Sequence, residues 1–237
     1  MPTIVAFLSQ KGGVGKSTLA RSLAVVAEGV GLRVRLADLD PQQRTLLRWL
    51  SAREKAGIKP VVDVAAVNDP RVALTCGQDV DLLVLDLPGQ LNDSFAAIAA
   101  SAQLVVQPTS PSIDDLHPGI LVFNALQRVR IPRDRMAFAL CRVLGDKEAE
   151  TTREYLHRQG YNVLRNAIHE RAAYRDALNL GRALSETRQQ TLNACAREMM
   201  LDLLNRALTV TAAAAAPATT TTTTTKKQPE RRSRRKA

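Results

Sequence analysis

Cysteines, aromatic residues and long apolar runs are all scarce in this sequence of 237 residues. Cys76, Cys141 and Cys195 lie far apart without CxxC spacing, so the sequence predicts neither a disulfide framework nor a zinc site. No uninterrupted apolar run approaches the roughly 18 residues that a membrane-spanning helix needs. The opening MPTIVAFLSQ shows no basic leader and no small-residue cleavage site, and we therefore expect a cytoplasmic protein.

Acidic residues are outnumbered as well, and the basic excess is concentrated towards the C-terminal end. The chain has 33 lysines and arginines against 23 aspartates and glutamates, a net charge of +10. Residues 226–237, KKQPERRSRRKA, hold seven of the basic residues and one acidic residue, so this segment carries +6 and the remainder +4. Such a charge favours a polyanionic partner, either nucleic acid or an anionic membrane surface.

Short apolar segments alternate with longer helix-like stretches over most of the chain. Strand-length segments joined by helical crossovers form a parallel sheet that is covered on both faces. We therefore predict an α/β fold with a doubly wound, mostly parallel sheet and helices on both faces. A short edge strand at 163–168 and a final amphipathic helix after Glu186 complete the prediction. The other predicted strands cover 3–9, 33–38, 82–87, 104–108 and 136–141, and the other helices cover 16–29, 41–56, 91–101, 112–130 and 147–159.

The composition changes abruptly after Leu208. The segment TVTAAAAAPATTTTTTTKKQPERRSRRKA is low in complexity and has almost no bulky apolar residue. Such a segment cannot bury enough surface to offset the entropy of ordering. We expect one folded domain over residues 1–208 and a disordered basic tail over 209–237.

The most specific motif is SQKGGVGKST, residues 9–18, which follows the first predicted strand and opens the first helix. Glycines allow backbone amides to approach phosphate oxygens closely, and the helix N-terminus favours negative charge. Lys16 is expected to reach the β- and γ-phosphates, and the Ser17 hydroxyl to bind Mg²⁺. The predicted nucleotide contacts in this loop are Lys11, Gly12, Gly13, Val14, Gly15, Lys16, Ser17 and Thr18.

The loop departs from the usual GxxxxGK[ST] pattern, since Gln10 stands where a glycine is expected and Lys11 follows it. This KGGVGKST arrangement resembles the ParA/MinD family of deviant Walker A ATPases, most closely the small plasmid-partition subgroup. The similarity extends to ADLDPQQ (37–43), LLVLDLPG (82–89) and VVQPTSPSIDDLHPG (105–119), and covers about residues 1–205. The resemblance implies an ATPase that uses ATP and Mg²⁺.

Three aspartates are candidates for metal binding and catalysis. Asp86 ends an apolar strand, where a carboxylate is costly without a task, and Mg²⁺ coordination or a helix cap would supply one. Asp38 and Asp40 bracket the end of the second strand, where open α/β sheets bind ligands. The family resemblance implies that Asp40 orients the attacking water and that Asp38 lies near Mg²⁺. On residue type alone, Asp40 before Pro41 is also a candidate helix cap.

The resemblance also assigns roles to two cations. It implies that Lys11 crosses a dimer interface to the phosphates of the partner's nucleotide and neutralises charge there, as an arginine finger does. Lys11, Lys16 and Asp40 are thus the predicted catalytic residues, in an ATP-dependent homodimer. Arg142 and residues 168–171 fall where such proteins hold the adenine, although an exposed arginine on a loop is more often solvated than stacked on a base.

The polyanion is predicted to be DNA, not a membrane. The segment 226–237 has no Leu, Ile, Val, Phe or Trp, and a membrane-bound amphipathic helix requires such residues. Contact with the DNA backbone needs only cations, and the resemblance implies non-specific DNA binding on the nucleoid. Candidate contacts are Arg182, Arg188, Arg197, Arg206, Arg231, Arg232, Arg234 and Arg235.

The resulting hypothesis is a partition ATPase that segregates plasmid or chromosome DNA, and whose DNA-bound dimer is released when a partner stimulates hydrolysis. Because the first strand begins near residue 3, we expect no helix-turn-helix before it, so a ParB-like centromere-binding or adaptor protein would supply site recognition. The same mechanism could position a protein cargo such as a chemotaxis cluster or a microcompartment. Two rival hypotheses with a different mechanism are an ATP-dependent carboxylating synthetase and a DNA-coating protein with a merely structural nucleotide site.

Overall fold

A parallel sheet forms the centre of the protein. The structure, a computed structural model, describes residues 1–89 and 93–215. The strands are β1 (Thr3–Phe7), β2 (Val34–Asp38), β3 (Asp63–Ala66), β4 (Leu82–Asp86), β5 (Leu104–Thr109), β6 (Met136–Val143), β7 (Asn162–Val163) and β8 (Ile168–His169).

The strands are ordered β3-β2-β4-β1-β5-β6-β7, with β8 paired to the far end of β6, and all their pairings are parallel. From β1 the chain winds outward to β2 and β3, returns through β4, and then continues on the other side with β5. The winding direction therefore reverses next to β1. In open α/β sheets, ligands bind at the carboxyl ends of the strands beside such a reversal.

Helices cover both faces of the sheet, as predicted. One face packs against α1, α2, α7 and α8, and the other against α3 to α6. Side chains of β1 alternate between the two cores, because Val5 and Phe7 point to the first and Ile4 and Ala6 to the second. The helices are α1 (Lys16–Gly29), α2 (Thr45–Lys55), α3 (Pro70–Ala73), α4 (Asp93–Ser101), α5 (Ile113–Arg128), α6 (Asp146–Arg158), α7 (Ala172–Asn179) and α8 (Gln190–Ala215).

Several elements differ from the sequence-based prediction. β3 is a half-exposed edge strand, so it lacks the apolar run of a buried strand, and the short α3 and α7 were also not predicted. The predicted edge strand at 163–168 is two separate two-residue strands, β7 and β8. The helix predicted at 41–56 begins only at Thr45, because residues 41–43 form a turn.

The last helix is longer than expected. α8 continues to Ala215, past Leu208, where the folded unit was predicted to end. Alanine is the strongest helix former, and the Oγ1 atoms of Thr211 and Thr3 lie 2.9 Å apart, which ties this extension to β1. Residues 209–215 thus belong to the helix, whereas the remaining predicted tail, 216–237, lies outside the described residues. Over the described ranges, no helix combines the length and apolar character needed to cross a bilayer.

Candidate nucleotide-binding site

The glycine-rich loop joins β1 to α1 at the carboxyl edge of the sheet. Gly13 and Gly15 adopt left-handed backbone conformations, with φ of 76° and 111°, which side chains disfavour. Gly15 is the N-cap of α1, and no side chain of the described residues caps this helix. The first amides of α1 are therefore available to an anion, and the helix dipole favours negative charge there.

A pocket of about 190 Å³, which we call the phosphate pocket, opens at the N-terminal end of α1. Burial lowers the pKa of Lys16 within it, although the carboxylates of Asp86 and Asp40 act in the opposite direction. A desolvated lysine among open amides is suited to binding a polyphosphate. The pocket brings together eight of the predicted site residues and three others: Gly12, Gly13, Gly15, Lys16, Ser17, Thr18, Asp40 and Asp86, with Gln43, Thr45 and Leu87.

Asp86 is a buried carboxylate at the end of β4, only 2% exposed. Burial raises its pKa to about 7, against the opposing effect of a hydrogen bond with the Ser17 hydroxyl. Its Oδ1 atom has no hydrogen-bond partner in ranges 1–89 and 93–215. A buried carboxylate oxygen without a hydrogen-bond partner lowers the free energy of unfolding, so its presence indicates that a ligand binds there.

Asp38 and Asp40 organise the chain between β2 and α2. Asp38 pairs in register with Asp86 on β4. It accepts hydrogen bonds from the amides of Asp40 at 3.0 Å and Leu46 at 3.1 Å, and burial raises its pKa despite these bonds. The Oδ1 atom of Asp40 accepts from the amides of Gln42 and Gln43. Asp40 thus caps a turn ahead of α2 rather than the helix itself.

These oxygens fit a magnesium ion. Mg²⁺ prefers hard oxygen ligands and usually takes some of them from phosphate and water, so a few protein groups suffice. Ser17 and Asp86 line the phosphate pocket, and Asp38 lies beside Asp86 on the neighbouring strand. Within the described part of the chain, no group of three or more His, Cys, Asp or Glu side chains is arranged to hold a metal alone. The donor set therefore fits a cation that arrives with a phosphate ligand.

Lys11 lies at the rim, outside the lining of the phosphate pocket. Its ammonium group forms an ion pair with Asp115 in the first turn of α5, and 46% of the side chain is exposed. Ser110 also donates to Asp115, at 2.6 Å. Although burial alone would raise the pKa of Asp115, the bonds from Lys11 and Ser110 hold it below its ordinary value. Asp115 was not predicted as a site residue, and only its place in segment 105–119 could have drawn attention to it.

A second, more apolar pocket of about 280 Å³ lies on the other side of the loop. Val14 and Arg142, both predicted nucleotide contacts, are among its lining residues, as are Ile168, Glu170 and Arg171. Arg142 is exposed, and its Nε atom donates to Glu170 at 3.2 Å. The pocket has the size and apolar lining of a small-molecule site. The sequence placed residues 168–171 here but gave no sign of the ion pair with Glu170.

Four of the eight predicted DNA contacts lie within the described residues. Arg182 and Arg188 line a cleft of about 410 Å³ between α7 and the start of α8, and Arg197 is exposed on α8. Arg206 is paired with Asp202 at 3.1 Å on the same helix. The other four candidates, Arg231, Arg232, Arg234 and Arg235, lie outside the described residues.

Several known proteins are similar to this chain in sequence. The chain is 33% identical to maintenance of carboxysome distribution protein A of Gloeobacter kilaueensis, over 56% of this chain and 63% of that protein. It is 28% identical to an iron-sulfur cluster carrier protein of Pseudomonas fragi, over 61% and 64%. It is 26% identical to protein ParA of Rhizobium radiobacter, over 83% and 90%. The chain thus spans slightly less than two thirds of the first two relatives.

Solved structures match the fold over most of the chain. MinD of Pyrococcus horikoshii with Mg-ADP superposes with a TM-score of 0.69 at 18% identity, covering 86% of this chain and 96% of that one. A plasmid partition protein of Borrelia burgdorferi with AMPPNP gives 0.67 at 17% identity, covering 87% and 100%. The profile of the CobQ/CobB/MinD/ParA nucleotide binding domain matches residues 5–188. The predicted family is therefore confirmed: this chain belongs to the CobQ/CobB/MinD/ParA nucleotide-binding family.

Proposed function

We propose that this protein is a cytoplasmic, nucleoid-associated partition ATPase, which hydrolyses Mg-ATP, dimerises around the nucleotide and binds DNA without sequence preference. The observation that carries the proposal is the pair of lysines on one phosphate loop. Lys16 is desolvated inside the pocket, whereas Lys11 lies at its rim and is half exposed. A cation in that position is open to the phosphates of a second subunit. In this proposal, a ParB-like partner then stimulates hydrolysis and releases the dimer, and the cargo is a plasmid.

Different residues of this chain have different roles in phosphoryl transfer. Lys16 and the first amides of α1 bind the phosphates, and Ser17, Asp86 and Asp38 hold Mg²⁺, which when bound neutralises phosphate charge. We assign the orientation of the attacking water to Asp40, whose Oδ1 atom is already held by two amides. A carboxylate restrained in this way presents its other oxygen in a fixed direction.

Lys11 would supply charge to the partner's nucleotide. Within one chain it is held by Asp115, so dimerisation requires this pair to open. The free energy for that opening would come from the more highly charged γ-phosphate. Dimerisation and DNA binding should therefore depend on ATP rather than ADP.

A protein cargo is the second candidate for the same mechanism. The observation that favours it is the similarity to a carboxysome distribution protein at 33% identity. The genes beside the ATPase gene would distinguish a plasmid cargo from a protein cargo. A plasmid system requires a gene for a small DNA-binding protein and repeated DNA sites there.

Iron-sulfur carriage is a further candidate, because one relative carries that name. The three thiols lie on separate elements, with Cys141 buried in β6 beside Gly15 and Cys195 on α8. We therefore rank this function below partition. Reconstitution with iron and sulfide tests it through the visible absorbance of a bound cluster.

The test of the proposed function is DNA retention with ADP, ATP and a slowly hydrolysed ATP analogue. Retention should be strong with the analogue and weak with ADP, and it should persist, at reduced affinity, in a chain truncated after Ala215 so that α8 stays intact. Lys11→Ala should still bind nucleotide but lose dimerisation by light scattering, while Lys147→Ala, at an exposed position on α6, should behave as the natural chain. Equal retention with every nucleotide would contradict the proposal.

A further inference from the structure

One face of α2 carries a row of exposed basic side chains. Arg44, the N-cap, is followed by Arg48, Ser51 and Lys55 at intervals of four, three and four residues, and all four are exposed. At 100° per residue, Arg48, Ser51 and Lys55 lie on one side of the helix, and Arg44 immediately precedes its first turn. We call these four residues the α2 stripe. Glu54, the one acidic residue of α2, projects about 100° away from Lys55.

The cations of the α2 stripe are not neutralised by neighbours. Across the described ranges, 1–89 and 93–215, none of the ion pairs involves Arg44, Arg48 or Lys55. Arg153 on α6 differs from these cations, since it pairs with Glu150. Charges of one sign that repel each other on a surface favour a partner of the opposite sign.

The spacing of the α2 stripe suits a DNA backbone. A helix rises 1.5 Å per residue, so Arg44 and Lys55 are about 16 Å apart along the axis. This length exceeds the width of a DNA major groove, about 12 Å. Long flexible cations at such intervals can reach phosphates on both sides of a groove without reading the bases.

The α2 stripe starts directly at the phosphate pocket. Gln43 and Thr45, on either side of Arg44, line that pocket, and the amide of Leu46 is held by Asp38. Arg44 itself has a left-handed backbone, with φ of 46° and ψ of 42°, a conformation that residues with a side chain rarely adopt. A ligand in the pocket therefore contacts the segment that sets the direction of the first cation.

We propose that the α2 stripe is a docking surface for the DNA backbone whose use depends on the nucleotide in the phosphate pocket. The proposal rests on the proposed function, since it names where on the chain the non-specific DNA is bound. It adds α2 to the predicted contacts, all of which lie later in the sequence. The position of α2 next to Asp38 and Asp40 gives a physical reason for DNA binding to respond to ATP.

The test compares two full-length variants that each lose two positive charges. R48Q/K55Q removes charge from the α2 stripe. R128Q/R158Q removes it from exposed arginines at the ends of α5 and α6, which form no ion pair with any described residue. Affinity for a labelled random-sequence duplex is measured by anisotropy with a slowly hydrolysed ATP analogue over a salt series. We expect R48Q/K55Q to bind about tenfold or more weakly, with a salt slope smaller by about 1.8 for each bound protomer. The control should change less than twofold.

Further measurements separate the outcomes. Unchanged affinity for a fluorescent ATP analogue shows that each variant is folded, and R48E/K55E should abolish retention. If the natural chain fails to bind DNA with any nucleotide, the proposed function is wrong. If the natural chain binds but R48Q/K55Q matches the control, only the docking surface is wrong. An equal loss for R48Q/K55Q with ADP and with the analogue would overturn the nucleotide dependence.

Discussion

The phosphate pocket and the buried side of α2 both contain buried charged groups. Only on α2 are those groups fully hydrogen-bonded within the described residues. Arg53 on α2 is 1% exposed, and its guanidinium forms a bidentate pair with Glu186 at 2.7 and 2.9 Å. It also donates to the carbonyls of Gly181 and Pro60 and lies over the ring of Trp49. Each nitrogen of this side chain thus has an acceptor.

The phosphate pocket contrasts with this arrangement. Asp86 keeps an oxygen without a hydrogen-bond partner in the described residues, and its pKa is raised to about 7 by burial. Lys16 is desolvated as well. Buried charges that satisfy each other stabilise a structure once formed, whereas buried charges that do not are typical of sites that await a ligand. By this criterion, Arg53 and Glu186 are structural charges, whereas Asp86 and Lys16 are suited to binding a ligand.

The largest effect is expected when the satisfied pair is broken. Arg53→Met leaves Glu186 without its partner, so the free energy of unfolding should fall by about 3–5 kcal/mol. The cost would come from the unpaired carboxylate and from lost packing against Trp49. Urea denaturation followed by far-UV circular dichroism measures it.

The matched control is the double variant R53M/E186Q. Because neither charge then remains, it should recover part of the lost stability relative to Arg53→Met alone. A loss below about 1 kcal/mol in the single variant would show that the pair is not a structural anchor, and the comparison between the two regions would fail.

A smaller change, counted per pH unit, is expected for Asp86. Its pKa is 3.8 in the unfolded chain and about 7 in the folded chain, so the folded chain holds this proton more tightly. The stability due to the protonated carboxyl is fully present below pH 3.8 and is lost as pH rises through about 7. In that window, the free energy of unfolding should decline by up to about 1.4 kcal/mol per pH unit from this group alone.

Asp86→Asn supplies the control for the pH measurement. The amide has nearly the shape of the carboxyl but does not titrate, so the decline in stability should be absent when both chains are compared in EDTA without nucleotide. Identical pH profiles for the two chains would show that Asp86 is not a desolvated acid. In that case the pKa of Asp86 would be no more raised by burial than that of an ordinary capping carboxylate.

Local motifs were sufficient to predict the phosphate pocket. Gly13, Gly15, Lys16 and Ser17 are adjacent in the sequence, and their roles follow from residue type and from their place between a strand and a helix. Asp86 could be predicted because a carboxylate at the end of an apolar strand is costly. The alternation of strand-length and helix-like segments predicted the doubly wound sheet, and its parallel topology was confirmed.

Long-range pairs could not be predicted from such patterns. The pair of Lys11 with Asp115 and that of Arg53 with Glu186 each join distant parts of the chain. No spacing rule links such residues, because tertiary packing alone brings them together. β3 was missed for a related reason, since its pairing with β2 at the sheet edge leaves it half exposed.

The smallest change in stability is expected for Lys16. Burial lowers its pKa, so the charged form is disfavoured in the folded chain, and Lys16→Met should not lower the free energy of unfolding. Nucleotide affinity should nevertheless fall about 10- to 100-fold, because hydrogen bonds to charged phosphate are lost. Calorimetric titration with an ATP analogue and urea denaturation measure the two effects on the same sample. A stability loss above about 2 kcal/mol would instead place Lys16 with Arg53 among the structural charges, and the distinction between the two regions would no longer hold.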